Sequence, residues 1–428
     1  MSTFRFIRER NTAVACGLFC GLIVLLQAGF VLAEPDVTVN GQVRARHEFD
    51  GKSFHPDYVT QNFIDLRTRL GVGAKLNDNT DVFVQLQDSR RLGGMDLEGK
   101  DQSGTLDNGQ QVDVHQAYLK INQLWQDGLG LQLGRFEVNL GNQRIFGAVG
   151  WNNVGRSWEG VSPFFDRDGF EARGFWLKRR ELNDPMANRD FDIFGLNAKL
   201  KNLGAELFVF LENDADQMAD SVDTEVDKLG RVNVGTYVGR KYGDLDIALN
   251  AVYQTGKQRA TTAKVFVEQD IAAFLFTFEA GYTLNPDSKA RLAAGIDYSS
   301  GDDPDTEDHE AYDNLYYTAH KFRGFMDYFL ASHPMGLIDM ILRGQVAPAA
   351  GWLLKADLHL FQAAQEYDVG GNATSKDVGT EIDLTVSTSR IEGAGLTGGL
   401  SVFLPKENWA GENTDTALWF YTMFTVGF

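Results

Sequence analysis

One pattern constrains this chain more than any other: its apolar residues recur at every second position. In Trp352–Glu366, Trp352, Leu354, Ala356, Leu358 and Leu360 fall on one parity, and Lys355, Asp357 and His359 on the other. Near the start, Val37, Val39, Val43 and Ala45 alternate with Thr38, Asn40, Gln42, Arg44 and Arg46. In the next run Ile64, Leu66, Leu70 and Val72 oppose Asp65, Arg67, Arg69 and Lys75. A period of two puts successive side chains on opposite faces of a strand. Such strands have one oily face and one charged face, and a helix cannot satisfy that pattern.

Eighteen such runs can be traced, among them Leu129–Asn139, Leu245–Thr255, Val378–Thr388 and Ala417–Phe428. Tight turns join some of them, as at Asn77-Asp78-Asn79-Thr80 and Lys201-Asn202-Leu203-Gly204. Others are joined by long polar connections: Arg90–Gln111, Leu140–Arg156, Asn213–Leu229 and Gly301–Gly336. An even strand number with long and short connections in alternation is the grammar of a membrane barrel. The expected fold is all-β: a single 18-stranded antiparallel transmembrane β-barrel, with both termini on the short-turn side. A charge on the lipid face costs several kcal/mol at the midplane, so the charged parity must face the lumen. No repeat of propeller-blade length interrupts this reading.

The N-terminus reads as an export signal. Arg5, Arg8 and Arg10 precede an apolar run from Ala13 to Phe30, and Val31-Leu32-Ala33 makes a cleavage site. Residues 1–33 are thus expected to be a signal peptide and residues 34–428 one barrel. Cys16 and Cys20 both lie in the signal, so no disulfide or thiolate chemistry is expected beyond it. No later run is apolar for long enough to form a spanning helix. The expected address is the outer membrane of a Gram-negative bacterium. The net charge of −19 argues against nucleic acid as a partner.

Phe428 ends the last run, in which Leu418, Phe420, Phe424 and Val426 alternate with Trp419, Tyr421 and Met423. A terminal phenylalanine on such a strand is similar to the insertion signal of outer-membrane proteins, which makes the barrel-assembly machinery an expected partner. Trp352, Trp419 and Tyr421 are expected in the aromatic girdle. In the fifth run, Leu131 and Leu133 share parity with Arg135, and a bulge at Gly134 is expected to re-aim Arg135 inward.

Several ordered tags then resemble one family. They are Arg67-Thr68-Arg69-Leu70-Gly71, His115-Gln116-Ala117-Tyr118, Leu133-Gly134-Arg135, Gly141-Asn142-Gln143-Arg144, Trp151-Asn152-Asn153 and Arg156-Ser157-Trp158-Glu159-Gly160-Val161. Later pieces are Ser299-Ser300-Gly301-Asp302, Gly336-Leu337-Ile338-Asp339 and His359-Leu360-Phe361. Together they resemble the alginate-export family of outer-membrane barrels. One departure is Phe136, where the family usually carries glutamine. The resemblance implies an eighteen-stranded barrel with an electropositive pore.

A barrel of this width is expected to enclose an aqueous channel. The candidate pore arginines are Arg44, Arg46, Arg67, Arg69, Arg135, Arg144, Arg156, Arg173 and Arg343. Guanidinium forks stay charged and match carboxylates, so a row of them would guide an anionic polysaccharide or a smaller anionic solute. The plainer reading pairs them with Asp65, Glu171, Asp339, Glu381 and Asp383 as lumen ladders. The acidic groups Asp214, Asp216, Asp220, Asp223, Glu225, Asp227 and Asp302, Asp303, Asp305, Glu307, Asp308 fall in loops. They read as solvated, or as bridged through divalent ions to lipopolysaccharide. His115, His309, His320 and His359 form no zinc motif, and neither metal nor cofactor is expected. No nucleophile elbow or phosphate loop occurs, so an enzyme is not expected.

The reading is therefore a passive outer-membrane channel for an anionic, alginate-like polymer or anionic solute, with periplasmic export partners. The alternative is a general or hydrophobic-solute porin of the same barrel. An outer-membrane lipase, or a sheath around a redox partner, finds less support in the residues.

Overall fold

The computed structural model describes residues 35–92, 112–182, 189–216, 228–262, 265–370, 373–411 and 414–428. The expected signal peptide lies outside the described residues, as do Asp220, Asp223, Glu225 and Asp227.

Eighteen strands form one sheet. The first nine are β1 (Asp36–Gly51), β2 (Gln61–Asn77), β3 (Thr80–Arg91), β4 (Val112–Ile121), β5 (Leu129–Phe136), β6 (Trp158–Arg167), β7 (Phe170–Arg180), β8 (Phe191–Leu200) and β9 (Ala205–Asp214). The others are β10 (Leu229–Tyr242), β11 (Leu245–Thr262), β12 (Val265–Asn285), β13 (Ala290–Ser299), β14 (Leu337–Val346), β15 (Trp352–Gly370), β16 (Ala373–Ile391), β17 (Ala394–Pro405) and β18 (Ala417–Gly427). Each pairs antiparallel with its sequence neighbours. The sheet closes where β18 returns to β1, from Gln42↔Gly427 to Gly51↔Leu418. Closure removes every open edge, the condition for a sheet to exist in lipid.

The even-numbered strands up to β16 lead into tight turns on one rim, which also holds the start of β1 and the end of β18. The turn chemistry is local. Asn77 accepts the Asn79 amide at 2.9 Å. Gly204 closes the β8–β9 turn at φ 61°, where an added Cβ would lie 2.2 Å from the Gly239 carbonyl. Only glycine meets both demands.

The two faces divide as the alternation requires. Val37 and Val39 are more than half exposed on the outer wall, while Arg44, Arg46 and Arg67 are buried inside. Phe194, Phe276, Leu342, Leu384 and Phe420 continue the exposed apolar band around the barrel. So extensive an exposed apolar surface fits a lipid environment rather than water.

Three local expectations are corrected. No register shift is recorded at Gly134. The shift lies between β3 and β4, where Gln85 faces Gln116 and Leu86 faces Val114, leaving His115 as the extra residue. Gly134 takes φ 128° but keeps its register, opposite Tyr118 and Gly160. Next, Trp419 and Tyr421 are not girdle residues. They sit on the inward parity of β18, fully or nearly buried, with Tyr421 4.9 Å and Trp419 5.8 Å from the Trp151 ring. Trp352 does stand on the outer wall. Finally, several strands differ in length. β5 stops at Phe136 because the chain turns inward at Glu137, whereas β11 and β12 stay paired out to Thr262↔Val265.

The largest correction concerns the lumen, which is not an open bore. Segments 137–157 and 300–336 fold back into the barrel and touch through a parallel bridge between Phe146 and Tyr316. Around that contact Phe146, Trp158, Phe175, Phe210, Leu275 and Tyr316 form one buried apolar cluster. A second cluster, with Met326, Phe329, Phe361, Phe403 and Trp419, packs the later loop against β14–β18. The inward parity of those strands is therefore partly aromatic.

Candidate functional site

The candidate site is the lumen at the level of these two loops. Arg44 and Arg67 lie opposite each other on β1 and β2. Like charges in direct register repel. Here both guanidiniums donate to the same acceptors, the carbonyls of Gly150 and Asn152, at 2.8–3.0 Å. Arg46 donates to the Trp151 carbonyl, lies 4.2 Å over its ring, and pairs with Glu48 at 2.6 Å. Three wall arginines thus hold one loop by its carbonyls. The loop is taut there: Val149, a β-branched residue, adopts φ 53°, a conformation such residues rarely accept.

The opposite wall does the converse. Glu381 accepts the Met326 amide at 2.8 Å, and Asp383 accepts the Phe325 amide at 3.2 Å. Carboxylates on β16 therefore hold the second loop by its N–H groups. Gly324 fits against Glu381 at φ 78°, where a Cβ would lie 2.4 Å from the carboxylate. Asp339 pairs with His359 at 2.8 Å. Among the four carboxylates Asp65, Asp339, Glu381 and Asp383, the arginine ladder occurs at Asp65, which pairs with Arg91 at 2.9 Å and Arg46 at 3.7 Å.

The remaining arginines are distributed as follows. Arg69 meets Gln87 at 2.8 Å and Glu137 at 3.5 Å. Arg144, in the first loop, pairs with Asp297 at 2.5 Å and stacks on Phe322. Arg156 donates to the Tyr316 carbonyl at 2.5 Å, tying loop to loop. Arg173 reaches Gln132 at 3.3 Å. Arg343 is shared by Glu279 at 2.5 Å and Asp357 at 3.2 Å. Arg135 keeps the outer parity of Leu133, near the loop-side end of β5, and pairs with Glu159 at 3.0 Å. It stands apart from the wall arginines of β1 and β2, lies 3.9 Å from Asp113, and lines a cavity at the loop-side mouth.

Sequence reasoning passed over Lys321. This residue is exposed in the second loop, bonds only the Asn142 carbonyl at 3.1 Å, and meets no carboxylate among the described residues. Loss of water around it, then the charges of Arg144 and Arg343, lower its ammonium below the usual lysine range. Its signal was faint, a lysine in a loop. Its chemistry depends on that loop folding inward.

A closed eighteen-stranded barrel, apolar outside, polar within and narrowed by its own loops, is an outer-membrane channel of the porin type. The chain belongs to the alginate export family, whose model matches residues 36–410. No curated protein matches it. Among solved structures it is similar to OccAB4 of Acinetobacter baumannii, with a TM-score of 0.59, 12% identity, and 93% of this chain and 99% of that one covered. It is similar also to OccK2 (OpdF) of Pseudomonas aeruginosa in complex with glucuronate, with a TM-score of 0.57, 12% identity and coverage of 92% and 98%. The same values hold for a BenF-like porin from Pseudomonas fluorescens Pf-5. At such identities these likenesses speak for the fold.

Proposed function

We propose that this barrel is a passive channel for carboxylated carbohydrate, as an alginate-like polymer or as single anionic units. The observation that carries the reading is a set of cations in the narrowed lumen with no carboxylate partner among the described residues. Arg44 and Arg67 bond carbonyls, which leaves their charges uncancelled, and Lys321 bonds a carbonyl too. In a confined lumen of low effective dielectric such charges act more strongly than the screened acidic loops outside. Conduction needs weak, distributed binding, and carbonyl-bound guanidiniums with only part of their donor capacity free suit that need.

The two apolar clusters favour single units over polymer in this loop arrangement, since the packed loops narrow the bore. The glucuronate bound to OccK2 supports the same solute class.

We further propose that residues 1–33 are removed on export to a Gram-negative outer membrane. In the same reading Phe428 is read by the barrel-assembly machinery, lipopolysaccharide surrounds the loop rim, and periplasmic partners deliver polymer. Reversal potentials across planar bilayers in a salt gradient test the central point. Anion preference is expected. Cation preference would leave only the general or hydrophobic-solute porin reading.

A further inference from the structure

The loop-side mouth holds a cavity of about 840 Å³, bounded by the ends of β5–β11 and by the two loops. Most of its charged groups are matched. Arg231 pairs with Glu212 at 2.7 Å, and Arg180 with Asp214 at 2.5 Å. Two cations are not. Arg156 donates only to carbonyls, and Arg179 donates to the Tyr316 hydroxyl at 3.1 Å and lies over the Phe191 ring. Neither meets a carboxylate among the described residues. Their guanidiniums approach the same Tyr316 ring, at 6.0 and 5.2 Å, so two like charges share one site. Two further groups of the cavity wall lack partners in the protein: the Trp158 indole nitrogen and the Ser157 hydroxyl, both buried atoms. Buried donors without acceptors are rare and costly, and they mark places where a ligand completes the bonding.

We infer that this mouth cavity is a binding subsite for a ring-bearing carboxylate, with Arg156 and Arg179 taking the carboxylate and Trp158 and Ser157 bonding ring oxygens. The inference rests on the anionic reading of the channel. It adds a residence site at the mouth, apart from the wall arginines of β1 and β2. Two guanidinium forks suit a carboxylate's paired oxygens. The rings of Tyr316, Trp158 and Phe191 give an apolar floor for the sugar face, the usual composition of a small-molecule site.

The test is calorimetric titration of the full barrel in detergent with sodium glucuronate, with glucose and sodium sulfate as controls. Arg179→Gln should weaken glucuronate binding at least tenfold. Trp158→Phe, which keeps the ring but removes the N–H, should weaken it severalfold. Lys201→Gln, in the β8–β9 turn on the opposite rim and paired with Asp166, should leave it unchanged. Arg156→Gln also loosens the loop, so Arg179→Gln is the deciding variant. The site is overturned if that variant binds glucuronate within twofold of the parent, or if glucose or sulfate binds as tightly. A parent channel that prefers anions but binds no glucuronate overturns the subsite alone. A channel that prefers cations yet binds glucuronate here overturns the conduction reading and keeps the subsite.

Discussion

Arg44 and Arg67, on adjacent strands and in direct register, share the carbonyls of Gly150 and Asn152 as acceptors. Neither arginine is redundant in this arrangement. Removing one leaves the carbonyls half-bonded; removing both leaves Arg46 as the one wall arginine still holding the loop. The double variant Arg44→Gln, Arg67→Gln should therefore raise mean single-channel conductance and its noise, while the barrel stays folded on unheated gels. Unchanged conductance would mean that Arg46 and the apolar packing suffice to hold the loop.

Selectivity should follow the cations that lack carboxylates. Lys321→Glu is expected to reduce anion preference severalfold in reversal-potential measurements at low salt, and less at high salt, where screening shortens its reach. Arg135→Glu should change selectivity less, because Glu159 and Asp113 already offset the charge of that side chain. Equal effects from the two variants would contradict this placement of the field.

The interior tryptophan should matter more than the outer one. Trp419 is fully buried and donates to Glu48 at 3.0 Å. Trp419→Ala is expected to cost about 3–5 kcal/mol, as large aromatic truncations do in packed interiors. Trp352→Ala, on the outer wall, should cost much less. The temperature at which the folded gel band disappears compares them.

The final residue closes the seam. Phe428 and Gly41 exchange both backbone hydrogen bonds, at 2.9 and 3.1 Å, and the phenylalanine ring occupies the space where a Gly41 side chain would stand. Phe428→Ser should lower the amount of barrel assembled in the outer membrane, scored by fractionation, and leave the conductance of inserted molecules unchanged. Gly41→Val should also lower assembly, because it displaces that ring. Normal assembly of both would remove the terminal residue from the pathway.

The wall was legible because lipid and lumen impose opposite demands on alternate residues, and β1, β2 and β15 satisfy both without ambiguity. The contents of the wall were not. Alternation tells which way a strand residue points, but not whether a connection returns into the barrel. A signal did exist. Leu140, Ile145, Phe146, Ala148, Val149 and Trp151 make the first loop too apolar for a solvated connection, and all but Trp151 are buried. The same blindness misplaced Trp419. Its parity was opposite to Leu418 and Phe420, yet an aromatic near a strand end was read as girdle. Without the inward loop, no interior partner for its ring was in view. Arg44 and Arg67 were legible as inward residues, but their acceptors are carbonyls of a loop whose path the sequence did not disclose, whereas Arg144 and Arg343 pair with carboxylates.

The seam between β1 and β18 also sets the order of events in assembly. Its two strands stand at opposite ends of the barrel sequence, so the contact that shuts the cylinder has the greatest chain separation of the strand pairings among the described residues. Until it forms, β1 and β18 are bare edges, free to pair with a neighbouring chain. Bringing such distant segments together is entropically slow. Hairpins can accumulate beforehand, but none of them completes a cylinder. The last ladder makes the transition from open ribbon to ring abrupt, and an unclosed chain needs a guardian at both margins throughout its crossing.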